Sequence, residues 1–285
     1  MKKILACVDG SSHFYSICDL SSWINGATKA DISLLHVATP HHDVAAKVNF
    51  SGSIGFGAKT KILNDLVKID EEHGRAQQNK GQSILDHAMR ELKVTNLQDV
   101  QRLHLRGGLS DIVQDVSQGS DVIIIGRSGE NSSSSSNKIG SNLESVVRLV
   151  NKPILVASMI YKPIESILIA YDGTDQSLQM VKYASQSNLL NKLQCHLLFV
   201  GPKNQSNIKK FKEAEKILAK RVTDVKTIIL EEKNIVDAIS GYFEEKYIDL
   251  LVMGAYNNSK LRSFIVGSKT SNLINKIKSP ILLFR

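Results

Sequence analysis

The chain is written twice. ILACVDGSS at residues 4–12 matches ILIAYDGTD at 167–175, which sets Asp9 opposite Asp172 at an offset of 163. DISLLHV at 31–37 matches QCHLLFV at 194–200 at the same offset. DVIIIG at 121–126 then matches DLLVMG at 249–254 at an offset of 128, and NKPILVA at 151–157 matches KSPILLF at 278–284 at 127. Four apolar segments repeated in one order mean a duplicated structural unit. The fall in offset from 163 to 128 places 35 surplus residues in the first copy, between its second apolar run and DVIIIG.

Each matched run is continuously apolar rather than alternating, the pattern of parallel strands covered on both faces. Segments of helical spacing lie between them: 16–25 and 178–189 after the first runs, 77–92 and 208–220 further on, then 112–117 and 235–247. The last pair, 142–150 and 271–278, stop just before a proline. With 98–105 and 224–230 as third strands, each copy reads β-α-β-α-β-α-β-α-β. The expected fold is therefore α/β: two tandem doubly wound, Rossmann-like domains, each a five-stranded parallel sheet flanked by helices. A length of 285 residues suits two such domains, expected at 1–160 and 161–285, with an insertion in the first at about 38–72. GSIGFG at 52–57, inside that insertion, reads as a flexible loop.

The net charge of +8 is uneven: residues 1–158 hold 17 Lys and Arg against 16 Asp and Glu, leaving 19 against 12 for 159–285. Much of the excess lies at 203–221, where a basic helix reads as a solvated face. No helix-turn-helix, zinc-finger or aromatic RNA-binding motif accompanies it, so nucleic acid is not an expected partner. No apolar run approaches the ~20 residues that cross a bilayer. The N-terminal apolar stretch meets Asp9 too soon for a secretory signal, so no membrane association and a cytoplasmic location are expected. Cys7, Cys18 and Cys195 form no CxxC pair and read as buried apolar residues.

Ligands of doubly wound sheets bind at the carboxyl ends of the strands. There the first strand of each copy ends in Asp-Gly, at Asp9-Gly10 and Asp172-Gly173. These carboxylates could accept from ribose hydroxyls, or serve as turn or cap carboxylates. The fourth strand runs into a loop with small residues at set points: Gly126, Gly129 and Gly140-Ser141 in the first copy, Gly254, Asn257 and Gly267-Ser268 in the second. Glycines let backbone N–H groups approach phosphate oxygens, and Gly-Ser at a helix start adds donors at the positive dipole end. Lys138, Lys260, Arg262 and Lys269 lie close enough in sequence to add charge. GSKT at 267–270 lacks the Walker A spacing.

The strand-one aspartate and the G-2x-G-9x-G-(S/T) loop after strand four resemble the universal stress protein family in its tandem-domain form. That resemblance covers nearly the whole chain outside the insertion. It implies a stress-response protein binding ATP or a related adenine nucleotide, with Asp9, Val37, Asp172 and Val200 on the adenosine. The glycine loops, Gly126, Gly129, Gly140 and Ser141, and Gly254, Gly267 and Ser268, would take ribose and phosphates. Both copies depart from the pattern. The first has ten residues rather than nine before Gly140, with a serine run at 132–136 that reads as a mobile segment or a lid; the second has Asn257 at its second glycine position.

Neither a Ser-His-Asp nor a Cys-His pattern falls on adjacent strand ends, so an enzyme is not expected beyond weak ATP hydrolysis. His41-His42-Asp43, with His36 or His13, could ligate a metal, but solvated histidines are the simpler reading. Magnesium carried on ATP phosphates is expected in place of a protein-held metal. A nucleotide-free interaction module with degenerate loops is the alternative function. The last strands, at 153–158 and 280–285, would be exposed sheet edges; the resemblance implies that they pair between domains and leaves a homodimer open.

Overall fold

The computed structural model describes residues 1–39, 56–94, 100–130, 139–190, 193–222, 224–255 and 268–285. The first half runs β1 (Lys3–Cys7), α1 (Phe14–Thr28), β2 (Asp31–Ala38), α2 (Phe56–Glu91), β3 (Val100–Arg106), α3 (Leu109–Val116), β4 (Val122–Gly126), α4 (Ser141–Leu149) and β5 (Ile154–Ala157). The second half repeats the order with β6 (Ser166–Tyr171), α5 (Asp175–Gln186), β7 (Gln194–Val200), α6 (Gln205–Leu218) and β8 (Val225–Leu230). It ends with α7 (Ile235–Glu245), β9 (Leu250–Gly254), α8 (Ser268–Lys276) and β10 (Ile281–Phe284).

All ten strands form one sheet in the order β3-β2-β1-β4-β5-β10-β9-β6-β7-β8. Within each half every pairing is parallel. The halves join antiparallel where β5 pairs with β10, Ile281 opposite Val156 and Leu283 opposite Ile154. The segments expected as sheet edges thus satisfy each other's backbone groups in the middle of a continuous sheet.

Successive side chains of a strand point to opposite faces, and both faces are covered. Ile4, Ala6, Ile32 and Leu34 pack with Ile17, Leu20 and Leu85 on one face. Leu5, Leu35, Ile123 and Ile125 pack with Val113 and Val146 on the other. The second half repeats the arrangement, with Phe211 and Ala214 of α6 on the first face and Ile239 and Ile274 on the second. Cys7, Cys18 and Cys195 are free and buried, and burial pushes each thiol up to about 12.

The aspartate before each fourth strand holds the start of the first. Asp121 accepts from the Lys2 and Lys3 N–H groups. Its counterpart Asp249 accepts from Glu165 N at 3.1 Å, Ser166 N at 2.9 Å and Ser166 Oγ at 2.8 Å. The repeated Asp in DVIIIG and DLLVMG therefore sets the spacing of β1 to β4 and of β6 to β9.

The structure departs from the sequence reading in the insertion. A helix is expected only from 77, but α2 begins at Phe56 and is 36 residues long, so much of the insertion is a helical extension rather than loop. Ile62, Leu66 and Ile69 carry the i, i+4, i+7 spacing that supports it. Of the loop expected at 52–57, Phe56 and Gly57 instead open α2, and residues 52–55 lie outside the described residues. Further along α2, Gly81 faces the histidines of β2 and β3: a Cβ there would lie 2.3 Å from His104 Nε2 and 2.7 Å from His36 Nδ1. Only glycine lets the helix approach this closely.

Candidate functional site

Strand order reverses between β1 and β4 in the first half and between β6 and β9 in the second. Doubly wound sheets open their ligand crevice at that point. Asp9 follows β1 and Gly126 ends β4, so the fold brings two segments more than a hundred residues apart to one crevice.

The Asp9 carboxylate joins them. Its Oδ1 accepts from Ser11 N at 3.1 Å, which shapes the Asp-Gly turn, and its Oδ2 accepts from Glu130 N at 3.2 Å. A Cβ on Gly129 would meet that same Oδ2 at 3.4 Å. Gly140 N donates to Arg127 O at 3.0 Å, and a Cβ on Gly140 would lie 3.1 Å from Ser128 Cα. Gly126 packs on His13, where a Cβ would lie 3.0 Å from His13 Cβ. Gly126, Gly129 and Gly140 are thus the places where loop, turn and helix start press together. Gly140 is the N-cap of α4 and makes no side-chain cap bond, and Ser141 is the exposed first helical residue. The turn role of the aspartate and its position in the crevice hold together rather than compete.

Val37 lies near the end of β2, half-buried, paired with Leu105. Val200 ends β7 opposite Leu230. Asp172 repeats the turn: its Oδ1 accepts from Thr174 N at 3.0 Å and Thr174 Oγ1 at 2.6 Å, and Thr174 caps α5. Gly173 needs its positive φ of 78° here. Gly254 ends β9 and Ser268 opens α8. Gly267, Asn257, Lys138, Lys260, Arg262, the serine run and His41-His42-Asp43 lie outside the described residues.

Several residues of the crevice escape sequence reasoning. Glu130 projects its carboxyl over Gly10, whose Cβ would meet it at 3.0 Å, and pairs with Lys80 of α2. Lys210 of α6 makes the equivalent reach in the second half, donating to Gly173 O at 3.0 Å. Glu130 is legible as an acid directly after Gly129, set against Asn258 at the repeat offset, whereas nothing local marks Lys80. His13 is 3% exposed and its Nδ1 has no partner among the described residues. Burial and Arg127 push its pKa down, against Asp9 and a hydrogen bond to the Ser128 backbone. His36 is 8% exposed, edge-on to His104 at 5.0 Å between ring centroids. Burial first, then His104, holds its pKa low. Both histidines are buried core groups rather than solvated ones. Burial also lowers Arg127 to about 10. Among the described residues no cluster of three or more His, Cys, Asp or Glu could hold a metal, and no helix is long and apolar enough to cross a membrane.

Two tandem α/β units sharing one sheet, each with an aspartate turn at its switch point, define the class of protein. The model of the universal stress protein family matches residues 163–285. A universal stress protein of Synechocystis sp. is 32% identical over 288 residues, covering 100% of both chains. The chain belongs to the universal stress protein family. A solved universal stress protein from Archaeoglobus fulgidus aligns with 99% of this chain and 98% of its own at a TM-score of 0.68 and 16% identity. A second structure, from Pseudomonas aeruginosa, covers 100% of this chain and 93% of its own at 0.60 and 14%. Likenesses at such identity speak to the fold.

Proposed function

We propose that this protein binds ATP or a related adenine nucleotide at the switch-point crevice and acts as a nucleotide-dependent regulator in a stress response. The observation that carries the reading is the meeting of Asp9 with the glycine loop, Gly129 against its Oδ2 and Glu130 N–H on the same atom. A half-buried carboxylate for ribose hydroxyls beside a close-packed glycine loop suits a nucleoside with a phosphate tail. Asp9, Val37, Gly126, Gly129, Gly140 and Ser141 would form one site, and Asp172, Val200, Gly254, Gly267 and Ser268 the other. The same reading divides the chain into domains 1–160 and 161–285. Any magnesium would ride on the phosphates.

A second reading, an interaction module without nucleotide, draws support from Asp9, since both its oxygens already accept backbone N–H groups. Nucleotide released from heat-denatured purified protein, identified by chromatography, separates the two. Calorimetric titration with ATP of the parent, Gly126→Val and Gly267→Val then tests the loops: each variant should lose one site. Two variants that bind like the parent would remove the glycine loops from the proposal.

A further inference from the structure

The two crevices differ at the Asp-Gly turn. In each half the helix before the third strand sends a lysine toward that turn: Lys210 donates to the turn carbonyl of Gly173, whereas Lys80 pairs with Glu130, whose carboxyl lies over Gly10. Lys210 contacts a backbone carbonyl and forms no ion pair among the described residues. Lys80 is engaged by the Glu130 carboxylate, which lies against Gly10 at the mouth of the first crevice while its own backbone N–H binds Asp9. At the repeat offset of 128, the second half has the neutral amide Asn258 in place of Glu130.

We propose that Glu130 is a specificity-determining residue that turns the first crevice against phosphate-rich ligands and toward adenine ligands with little or no phosphate, such as adenosine or AMP. This rests on the adenine-nucleotide reading above. The carboxylate performs two functions through one position. It places a negative charge over Gly10, one residue along from Gly129 of the glycine loop, and it occupies the ammonium group that a phosphate would use. A ligand phosphate must therefore displace an internal anion, whereas the uncharged nucleoside part need not. The pair is part-exposed, with 55% of the Lys80 side chain and 39% of the Glu130 side chain accessible, so it competes without locking the crevice shut. In the second half Lys210 has no carboxylate partner among the described residues, and the sequence holds no acid at the position equivalent to Glu130.

Titration calorimetry of the full chain with adenosine, AMP and ATP decides this, all in an Asp172→Ala background that weakens the second site. The variants are Glu130→Gln, Lys80→Gln and the double change. The chain with Glu130 intact should bind adenosine at least as tightly as ATP. Glu130→Gln should tighten ATP about tenfold, the scale of one unit charge a few ångströms away at a part-exposed site, and leave adenosine within about twofold. That gain should vanish in the double variant, because the released Lys80 is what the phosphate uses. Equal tightening of adenosine and ATP, or unchanged ATP affinity while adenosine binds, overturns the role of Glu130. If none of the three ligands binds any of these chains, while thermal melts show them folded, the nucleotide reading of this crevice fails and takes the inference with it.

Discussion

Arg127 and Ser279 meet across the seam between the two halves: Arg127 Nη2 donates to Ser279 O at 3.3 Å. Arg127 directly follows the first glycine of the first loop, and Ser279 lies between α8 and β10. The reciprocal contact runs from Arg285, after β10, to the carbonyl of Arg148 in the last turn of α4. Each arginine lies at the negative end of the other half's last helix. Helix α8 begins at the second candidate site, so Arg127 ties the first crevice to the far end of the helix that starts at the second.

Replacing Arg127 should show the tie. Arg127→Ala removes the charged donor from the Ser279 carbonyl and is expected to cost about 1–3 kcal/mol of stability. Urea denaturation of parent and variant measures it; an unchanged midpoint would mean that the contact contributes nothing to holding the halves together.

Asp249 should matter more than an ordinary surface acid. It accepts two backbone N–H groups and a hydroxyl at the start of β6. Asp249→Ala strands these donors, with an expected loss of about 1–3 kcal/mol. Hydrogen exchange should locate the loosening at the Glu165 and Ser166 amides, and protection left intact there would contradict the assignment.

Glycine to alanine should change sign with position. Gly241 lies exposed in α7 with no neighbour within 4 Å among the described residues, so Gly241→Ala should stabilise by about 0.5–1 kcal/mol. Gly81→Ala would drive a methyl onto His104 and His36, and its overpacking, about 1–3 kcal/mol, should outweigh the helical gain. Paired thermal melts read both; a Gly81→Ala variant more stable than the parent would show that the histidine pair can move aside.

The protein should lose stability on acidification through the histidine range. His13, His36 and His196 are each held below the usual histidine value, chiefly by burial. The unfolded chain takes up those protons near pH 6.5 while the folded one does not. Between that value and the lowered folded values the unfolded state binds more protons, so stability falls as pH falls. It is fully present above about 6.5 and lost through the folded pKa values. His36 faces His104, Lys80, Asp9 and Glu130. Denaturation at pH 7.5 and 5.5 should give a lower free energy at the acidic value, with a smaller drop in His36→Gln; an equal drop would assign the effect to other groups.

The element order was legible because each strand is a local apolar run and each helix a local periodicity. The miss at α2 has the same cause. The reading rested on matching the copies, and residues 56–72 have no counterpart to match, although Ile62, Leu66 and Ile69 carry a helical period. Asp9, Gly126, Gly129 and Gly140 were legible because a turn carboxylate and a glycine spacing recur in sequence. His13, His36 and Gly81 were not, since burial and close approach depend on what the next layer places against them.

Sequence by itself determined the duplication, the α/β alternation and the strand-end positions of the candidate residues. These follow from side-chain period and turn chemistry within a few residues of each other. Only the tertiary structure decided that the two five-stranded sets share one sheet through β5 and β10, and that Arg127 reaches Ser279. It also set Lys80 opposite Glu130, fifty positions apart. Such pairs arise from strand order and register, which bring distant segments together with no local mark on either partner.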